Sequence, residues 1–336
     1  MKKKVSVVPW CDAAMLHLLV TITAATLATA PDPLAFDTFV VLSNEVPMPA
    51  VGFGTAGGID SAAIVRALAS GYVAIDSAMA PEWYDESAAA AAIHASGLQR
   101  HEVFVTTKLH ARHHGNVSAE RRVRASAALF DGYIDLLLLH HPECWLPMCD
   151  PAAVEGTWQD SWRVLERALH ATPPLARAIG VSNFEAWRLR ELLDRVATKL
   201  APPMVVQNWM DPLHQDREVR ALCAARGVAY TAYSTLGAQH TMRSGGGPNP
   251  VLTSPTLLTI GDAHGKSAAQ VALRWALQSG AMVIPRTRSA ARLVENREGL
   301  DFELSAEEVS TINVLDGGTD GGAAAAAAAA EAREEL

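Results

Sequence analysis

The chain has 336 residues, of which 49% are hydrophobic and 19% charged, so it can bury a large core and is not globally disordered. Its net charge is −8 and it has no long Lys/Arg run, which argues against a nucleic-acid-binding protein. The length suits two average domains or one large α/β barrel. Four cysteines are too few for a disulfide framework. We expect ordinary thiols, although the neighbours Cys144 and Cys149 could also bond to each other or bind a metal.

Both ends of the chain differ in composition from the middle. Residues 1–30 begin with three lysines, continue with an uncharged stretch and end on small residues, which resembles a secretory or organelle-targeting segment. The stretch is short for a membrane span, so we predict none. The alternative is a leader without a targeting role, which would leave a cytoplasmic protein. Residues 317–336 form a Gly/Ala-rich tail in which we expect no chemistry.

Eight short apolar runs occur between these ends. They are Val51–Thr55, Tyr72–Asp76, Val103–Lys108, Asp135–His140, Ala178–Ser182, Val205–Asn208, Val228–Tyr233 and Met282–Pro285. Their nearly continuous apolar character predicts parallel strands covered on both faces. Helix-like stretches separate them, such as Ser61–Ser70 before Gly71. The alternation predicts a single α/β domain over residues 37–316, folded as a (β/α)8 TIM barrel.

The alternative fold is an open doubly wound sheet, which needs a glycine-rich turn after an early strand. The glycines of residues 52–58 could form that turn. However, a lone glycine-rich patch is not specific for a dinucleotide-binding turn of that fold. The glycine-rich stretch is therefore weak support for this alternative.

Polar residues follow one another at the ends of the predicted strands. They are Asp76, Lys108, His140, Ser182, Asn183, Gln207, Asn208, Tyr233, Ser234 and Arg286. Active sites of (β/α)8 barrels lie at the carboxyl ends of the strands. The sequence therefore predicts a single active-site rim.

Four residues of this rim suit the reduction of a carbonyl group. A tyrosine phenol, which Tyr84 can provide, has an ordinary pKa of about 10, and a nearby ammonium such as Lys108 would lower it. Asp76 would hold Lys108 in its charged form, and a neutral His140 would orient the carbonyl oxygen. Because no side chain donates hydride, a bound cofactor must supply it.

The chain resembles the aldo-keto reductases from about Val46 to Asp316. The matching segments are Met48–Thr55, Ile75–Ala78, Val105–Leu109, Asp135–Pro142, Ile179–Phe184, Val206–Asn208, Ala232–Gly237 and Ile284–Arg286. The resemblance implies that Asp76, Lys108 and His140 are catalytic. It also implies NADPH-dependent reduction of an aldehyde or ketone to the alcohol.

The proton donor departs from the family pattern. In the family, a tyrosine follows the catalytic aspartate by about five residues and a glutamate follows three residues later. Here position 81 is Pro81, and counting back from Glu86 leads to Trp83. We predict a short insertion and assign the proton transfer to Tyr84, because tryptophan cannot perform it. Trp83, together with His141 and Trp209, is predicted to line the substrate pocket.

The resemblance also implies a cofactor site. The nicotinamide amide would lie against Ser182, Asn183 and Gln207, with Tyr233 stacked on its ring. The remaining contacts would come from Thr55, Ser234, Leu236, Arg286, Thr287, Arg292, Glu295 and Asn296. Two guanidinium groups suit a 2′-phosphate, which favours NADPH over NADH. No metal cofactor is expected.

Two other functions fit parts of the sequence. A metal-dependent hydrolase could use the histidines near residue 110, but we expect His110, His113 and His114 to be surface residues of a loop. A catalytically weak NADP-binding relative could act as a redox sensor or an interaction protein. We predict instead an enzyme for a mid-sized carbonyl compound with an apolar part. We further predict a monomer that binds no nucleic acid.

Overall fold

A computed structural model of the chain describes residues 38–298 and 300–317. The predicted leader, residues 1–30, and residues 318–336 of the predicted tail lie outside this part. The strands are β1 Phe39–Val41, β2 Pro47–Pro49, β3 Phe53–Gly54, β4 Ala74–Asp76, β5 Phe104–Leu109, β6 Ile134–Leu139, β7 Ala176–Ser182, β8 Val205–Trp209, β9 Ala229–Tyr233 and β10 Ala281–Val283.

Helices connect the strands. They are α1 Ser61–Ala69, α2 Glu86–Ser96, α3 Val117–Leu129, α4 Trp158–His170, α5 Ala186–Glu191, α6 Arg217–Arg226, α7 Ala238–Arg243, α8 Pro255–His264, α9 Ala268–Gln278, α10 Ala290–Glu298 and α11 Ala306–Asn313. None within residues 38–298 and 300–317 is long and apolar enough to cross a bilayer.

The eight strands β3 to β10 form one parallel sheet in sequence order. The sheet closes because Val51 pairs with Val283. Around this bridge, the Gly52 amide donates to the Val283 carbonyl at 2.9 Å and the Gly54 amide donates to Pro285 at 3.1 Å. The predicted (β/α)8 barrel is confirmed, and each of its eight strands overlaps one of the eight apolar runs.

The apolar runs form strands because the barrel buries both of their faces. Every residue of β5 and β6 is buried, and helices such as α4, with its buried Trp162, cover the outside. Gly180 has a specific role in this packing. A Cβ atom at that position would lie 2.1 Å from the Val205 carbonyl oxygen, so only glycine lets β7 approach β8.

Two local features were not predicted. The antiparallel hairpin of β1 and β2 lies at the amino-terminal end of the barrel, where Asn44 donates to the Arg177 carbonyl at the start of β7. In addition, Cys144 and Cys149 form a disulfide in the loop after β6. The expectation that these two residues are ordinary thiols was therefore wrong, whereas Cys223 is a buried free cysteine.

The register of the sheet aligns the carboxyl ends of the strands. Asp76 pairs with Thr106 of the next strand, and Ser182 pairs with Gln207. Lys108 lies further along β5, on the same rim. Because all eight strands run in parallel, the polar residues at their ends converge on one side of the barrel.

Candidate active site

A buried ion pair lies at the centre of the rim. Lys108 Nζ is 2.5 Å from Asp76 Oδ1 and also donates to the Ser77 carbonyl at 2.8 Å. The second carboxylate oxygen, Oδ2, accepts from Gln207 Nε2 at 2.7 Å. Lys108 is 1% exposed and Asp76 is 3% exposed. Each charge therefore lies out of water beside its partner, as buried ionic groups require.

The neighbours of Lys108 fix its protonation state. Burial alone would lower its pKa, but the Asp76 carboxylate and the Tyr84 phenol outweigh burial and raise it. The ammonium therefore remains charged at neutral pH. This agrees with the predicted role of Asp76 in holding Lys108 in its charged form.

Tyr84 lies against this ion pair. The Lys108 ammonium is 4.8 Å from the centre of the Tyr84 ring. Lys108 lowers the Tyr84 pKa, as predicted, but this effect does not decide the net direction. Burial raises this pKa, and Lys108 offsets only part of the rise. Tyr84 is therefore a neutral phenol that carries its proton at physiological pH.

His140 is the fourth member of the cluster. Its ring centre is 5.8 Å from that of Tyr84, and its backbone carbonyl accepts from Asn183 Nδ2 at 2.8 Å. Nδ1 of the imidazole is buried without a hydrogen-bond partner. Burial, reinforced by the Lys108 charge, lowers the pKa of His140 well below its ordinary value. The imidazole is therefore neutral, as predicted.

The histidines that follow β5 are not surface residues. His110 is 0% exposed and His114 is 2% exposed, so the expectation of a solvated loop was wrong for both. His114 bridges the Ser161 hydroxyl at 3.0 Å and the His141 carbonyl at 2.9 Å. Burial lowers the pKa of His114 to about 4 and that of His110 to about 3. They pack as neutral rings in the wall behind His140.

Metal ligation was the alternative use of these histidines. In the part of the chain that the structure describes, no group of three or more His, Cys, Asp or Glu side chains is arranged to hold a metal ion. The hydrogen bonds of His114 to Ser161 and His141 give that ring a packing role instead.

Aromatic rings surround the open side of His140. Trp83 lies 6.0 Å away, centre to centre, and His141 lies 4.9 Å away. Trp145, from the disulfide-bonded loop, meets His141 edge-on at 4.9 Å and is 45% exposed. The predicted pocket residues Trp83 and His141 thus lie beside the cluster of Asp76, Lys108, Tyr84 and His140, with Trp145 at the outer edge.

Trp209, the third predicted pocket residue, belongs to a neighbouring group of side chains. Its ring stacks on His214 at 3.8 Å, and its Nε1 donates to the buried Asp211 at 2.7 Å. His240 of α7 reaches the same carboxylate at 3.0 Å. These contacts fix the plane of the indole and attach the loop after β9 to the end of β8.

The predicted nicotinamide site lies next to His140. Asn183 in this site has a positive φ of 60°. Its Nδ2 lies 3.1 Å from the Ser182 hydroxyl, and its Oδ1 accepts from the Tyr233 hydroxyl at 2.7 Å. Together with Gln207, these residues present donors, acceptors and an aromatic face within one patch.

The stretch after β9 lies beside this patch. Ser234 has a positive φ of 55°, and the Leu236 carbonyl accepts from Asn249 Nδ2 at 2.7 Å. Gly237 also needs its positive φ of 78°, because a Cβ atom there would lie 2.4 Å from Asn249 Oδ1. The loop 238–249 is therefore attached at both ends by Asn249, a residue that the sequence did not single out.

Three arginines follow β10. Arg286 Nη1 donates to the Ala56 carbonyl at 3.0 Å, and Arg288 Nη2 donates to the carbonyls of Gly57 and Gly58 at 2.8 and 2.9 Å. Arg292 is exposed. The first two guanidinium groups thus hold the loop after β3. Arg288 was not among the predicted residues.

The other predicted cofactor residues have partners of their own. Thr287 Oγ1 accepts from the Ser289 amide at 3.0 Å, and Glu295 Oε1 accepts from the Ser267 hydroxyl at 2.6 Å. Asn296 is buried. Thr55, at the other end of the site, donates its hydroxyl to the Asp76 carbonyl at 2.8 Å.

The chemistry of these side chains fits a nicotinamide dinucleotide phosphate. The amides of Asn183 and Gln207 match the carboxamide, the Tyr233 ring offers an aromatic face, and the exposed guanidinium of Arg292 suits a phosphate. When bound, such a cofactor supplies hydride. A barrel with this cluster on its rim is typical of an oxidoreductase that acts on carbonyl groups.

Comparisons with known proteins agree with this class. The sequence profile described as "Aldo/keto reductase family" matches residues 60–316. An aldo-keto reductase of Mycolicibacterium vanbaalenii is 36% identical over 284 residues, which cover 83% of this chain and 92% of that one. An NADPH-dependent codeinone reductase of Papaver somniferum is 33% identical over 295 residues, covering 82% and 88%.

A solved structure shares the fold. The crystal structure of an aldo/keto reductase from Brucella melitensis has a TM-score of 0.71 at 29% identity and covers 83% of this chain and 99% of that one. The chain therefore belongs to the aldo-keto reductase family. It is an NAD(P)H-dependent oxidoreductase, a class whose members act on small carbonyl compounds.

Proposed function

We propose that the protein reduces an aldehyde or ketone to the alcohol with NADPH, and that Tyr84 donates the proton. The observation that carries this proposal is the position of Lys108, which contacts both the Asp76 carboxylate and the Tyr84 phenol beside a neutral His140. When bound against Ser182, Asn183 and Gln207, NADPH would supply the hydride to the carbonyl carbon. The carbonyl oxygen takes the Tyr84 proton, and the Lys108 charge stabilises the tyrosinate that remains.

His140 has a separate role in this proposal. As a neutral imidazole it can donate a hydrogen bond to the substrate oxygen without carrying a charge that would compete with Lys108. The low pKa of His140, caused by burial, supports this assignment. Tyr84 would recover its proton from solvent after the alcohol leaves.

The proposed cofactor and substrate follow from the two ends of the rim. Arg286, Thr287 and Arg292 would bind the 2′-phosphate, with Glu295 and Asn296 at the adenine. A relative named as NADPH-dependent supports this choice. Trp83 and His141 would form the walls for a mid-sized carbonyl compound with an apolar part. No observation favours the alternative of a catalytically weak redox sensor.

The test is NADPH oxidation with a panel of aldehydes and ketones, followed by loss of NADPH absorbance. Tyr84→Phe is expected to lose most of kcat while it keeps NADPH affinity. Tyr133→Phe is the matched control, because Tyr133 lies before β6 at the other end of the barrel, beside Arg100. Full turnover in Tyr84→Phe would refute the assignment of the proton donor. Tight NADPH binding without turnover in the wild type would refute carbonyl reduction.

A further inference from the structure

The turn that carries Tyr84 is longer than the turn of the family pattern. Contacts with neighbouring parts of the barrel must therefore hold the additional residues in place. Between Asp76 and the start of α2 at Glu86, the amides of Trp83 and Tyr84 both donate to the Ala80 carbonyl at 2.9 Å. Pro81, Glu82 and Trp83 are exposed. One side of the turn therefore faces solvent, although Tyr84 must be held accurately.

Glu82 lies two residues before Tyr84 and reaches back to the turn after β5. Its Oε1 is 2.9 Å from His110 Nε2 and accepts from Arg112 Nη2. Glu82 is the partly exposed member of this group, and His110 is fully buried. The carboxylate thus connects the inserted turn to a rigid part of the barrel wall.

The tautomer of His110 is set by its other ring nitrogen. Nδ1 accepts from the Arg112 backbone amide at 3.0 Å and from Arg112 Nε at 3.2 Å. A neutral imidazole with an accepting Nδ1 carries its proton on Nε2, the atom that faces Glu82. Burial and the Arg112 charge lower the pKa of His110 to about 3. Nε2 lies beside the Glu82 carboxylate, but within the described residues it forms no hydrogen bond with it.

The anchor is adjacent to the reacting groups. The His110 ring lies 5.9 Å from Trp83 and 6.1 Å from His140. On the opposite side, the Gly57 amide donates to the Trp83 carbonyl at 2.7 Å. The Tyr84 turn is thus held by the first loop on one side and by Glu82 on the other.

We propose that Glu82, held by the Arg112 guanidinium beside the buried His110 ring, is a positioning residue that fixes Tyr84 against Lys108 and His140. The proposal rests on the proposed function, because it assigns the placement of the proposed proton donor. Glu82 takes no part in proton transfer itself. A displacement of about 1 Å at a reacting group can cost about 10²-fold in rate. Removal of the Glu82 carboxylate should therefore lower kcat, even though this carboxylate is partly exposed.

The experiment compares Glu82→Ala with Glu82→Gln, whose amide oxygen can still accept from Arg112. Glu143→Ala is the matched control, because Glu143 also pairs with an arginine, Arg188, on a rim loop but does not belong to the Tyr84 turn. We expect kcat to fall about 10- to 100-fold in Glu82→Ala, with the NADPH Kd unchanged. Glu82→Gln should restore most of kcat, and Glu143→Ala should keep it.

A second readout requires no turnover. The chain has five tyrosines, and carbon NMR of tyrosine labelled at the ring ζ position follows each phenol, with Tyr84→Phe identifying its signal. In Glu82→Ala, we expect the Tyr84 signal to move, because the phenol is no longer held at its position against Lys108 and His140. The signals of Tyr72, Tyr133, Tyr230 and Tyr233 should stay in place.

These readouts separate the two proposals. If the wild type reduces no carbonyl compound, the proposed function fails, and the NMR signal still reports whether Glu82 positions Tyr84. An unchanged Tyr84 signal in Glu82→Ala would overturn the positioning role. Unchanged kcat, equal losses in the Ala and Gln variants, or a parallel loss of NADPH affinity would also overturn it.

Discussion

The two ends of the barrel rim differ in how much water reaches them. At the catalytic end, Asp76 and Lys108 are almost fully buried and each contacts an oppositely charged group. At the predicted phosphate end, Arg286 and Arg292 are exposed. Charge states at the buried end are set by neighbouring groups, whereas the exposed charges interact through water and salt. Chemistry and cofactor affinity should therefore respond to different changes.

The largest expected effect is at the buried end. Lys108→Met should lower kcat by about 10²–10⁴-fold, because Tyr84 loses the charge that stabilises its tyrosinate. It should also cost about 3–5 kcal/mol of unfolding free energy, since the Asp76 carboxylate stays buried without its partner. Steady-state kinetics and urea unfolding measure the two effects.

A double variant separates these two effects. Asp76→Asn combined with Lys108→Met removes both charges, so it should recover part of the lost stability but none of the lost activity. Recovery of kcat in the double variant would show that Lys108 acts only through the fold.

The buried histidines should make the fold sensitive to acid. Folding lowers the pKa of His114 from 6.5 to about 4, so the unfolded chain binds a proton more readily than the native state does. The stability that His114 contributes is complete above pH 6.5 and is lost as the pH falls from 6.5 towards 4.

Urea unfolding at several pH values tests this linkage. Over that window, His114→Asn should have a shallower slope of stability against pH than the wild type, by up to about 1.4 kcal/mol per pH unit for the one proton removed. Equal slopes in the two proteins would contradict a buried neutral His114. Above pH 7, the two slopes should coincide.

At the exposed end, Arg292→Ala should weaken the binding of NADPH and leave the rate of the chemical step unchanged. A charge-assisted hydrogen bond contributes about 1.5–3 kcal/mol, so KM for NADPH should rise about 10- to 100-fold with kcat nearly unchanged. NADH lacks the 2′-phosphate and provides an internal control, because its KM should not change. An equal rise for both cofactors would place Arg292 away from that phosphate.

The smallest expected effect is that of salt concentration on NADPH binding. Raising the ionic strength to about 0.5 M shortens the screening length to a few ångströms, which should raise KM for NADPH a few-fold. The saturated rate should hardly change, because Asp76 and Lys108 are shielded from solvent. If kcat fell together with the affinity for NADPH, the two ends of the rim would not differ in their exposure to water and salt.

The sequence predicted the barrel well because its strands are buried on both faces and therefore read as apolar runs. The β1–β2 hairpin was missed since two of the three residues in β2 are prolines, Pro47 and Pro49, and prolines argue against a strand. The two prolines are tolerated here because β2 is an edge strand. The cysteine pair was missed because sequence spacing does not show whether two thiols meet in space.

The sequence predicted which polar residues share the rim, but it did not predict how deeply the histidines after β5 are buried. The strand-end pattern located Asp76, Lys108 and His140, because the register of parallel strands carries over to the rim. Burial of His110 and the raised pKa of Tyr84 depend on packing between loops, which one sequence does not reveal. Glu82 was also missed, although an acidic residue in the insertion, with His110 and Arg112 after the next strand, is a readable signal.

The hydrogen bond from Arg286 to Ala56 has a consequence for protein engineering. The residue after Ala56, Gly57, donates to the Trp83 carbonyl next to Tyr84. Replacing Arg286 to shift the proposed cofactor preference from NADPH to NADH would thus also remove a hydrogen bond that holds the loop next to Tyr84, the proposed proton donor. Replacing Arg292 first, while keeping Arg286, would preserve the hydrogen bond between Arg286 and Ala56.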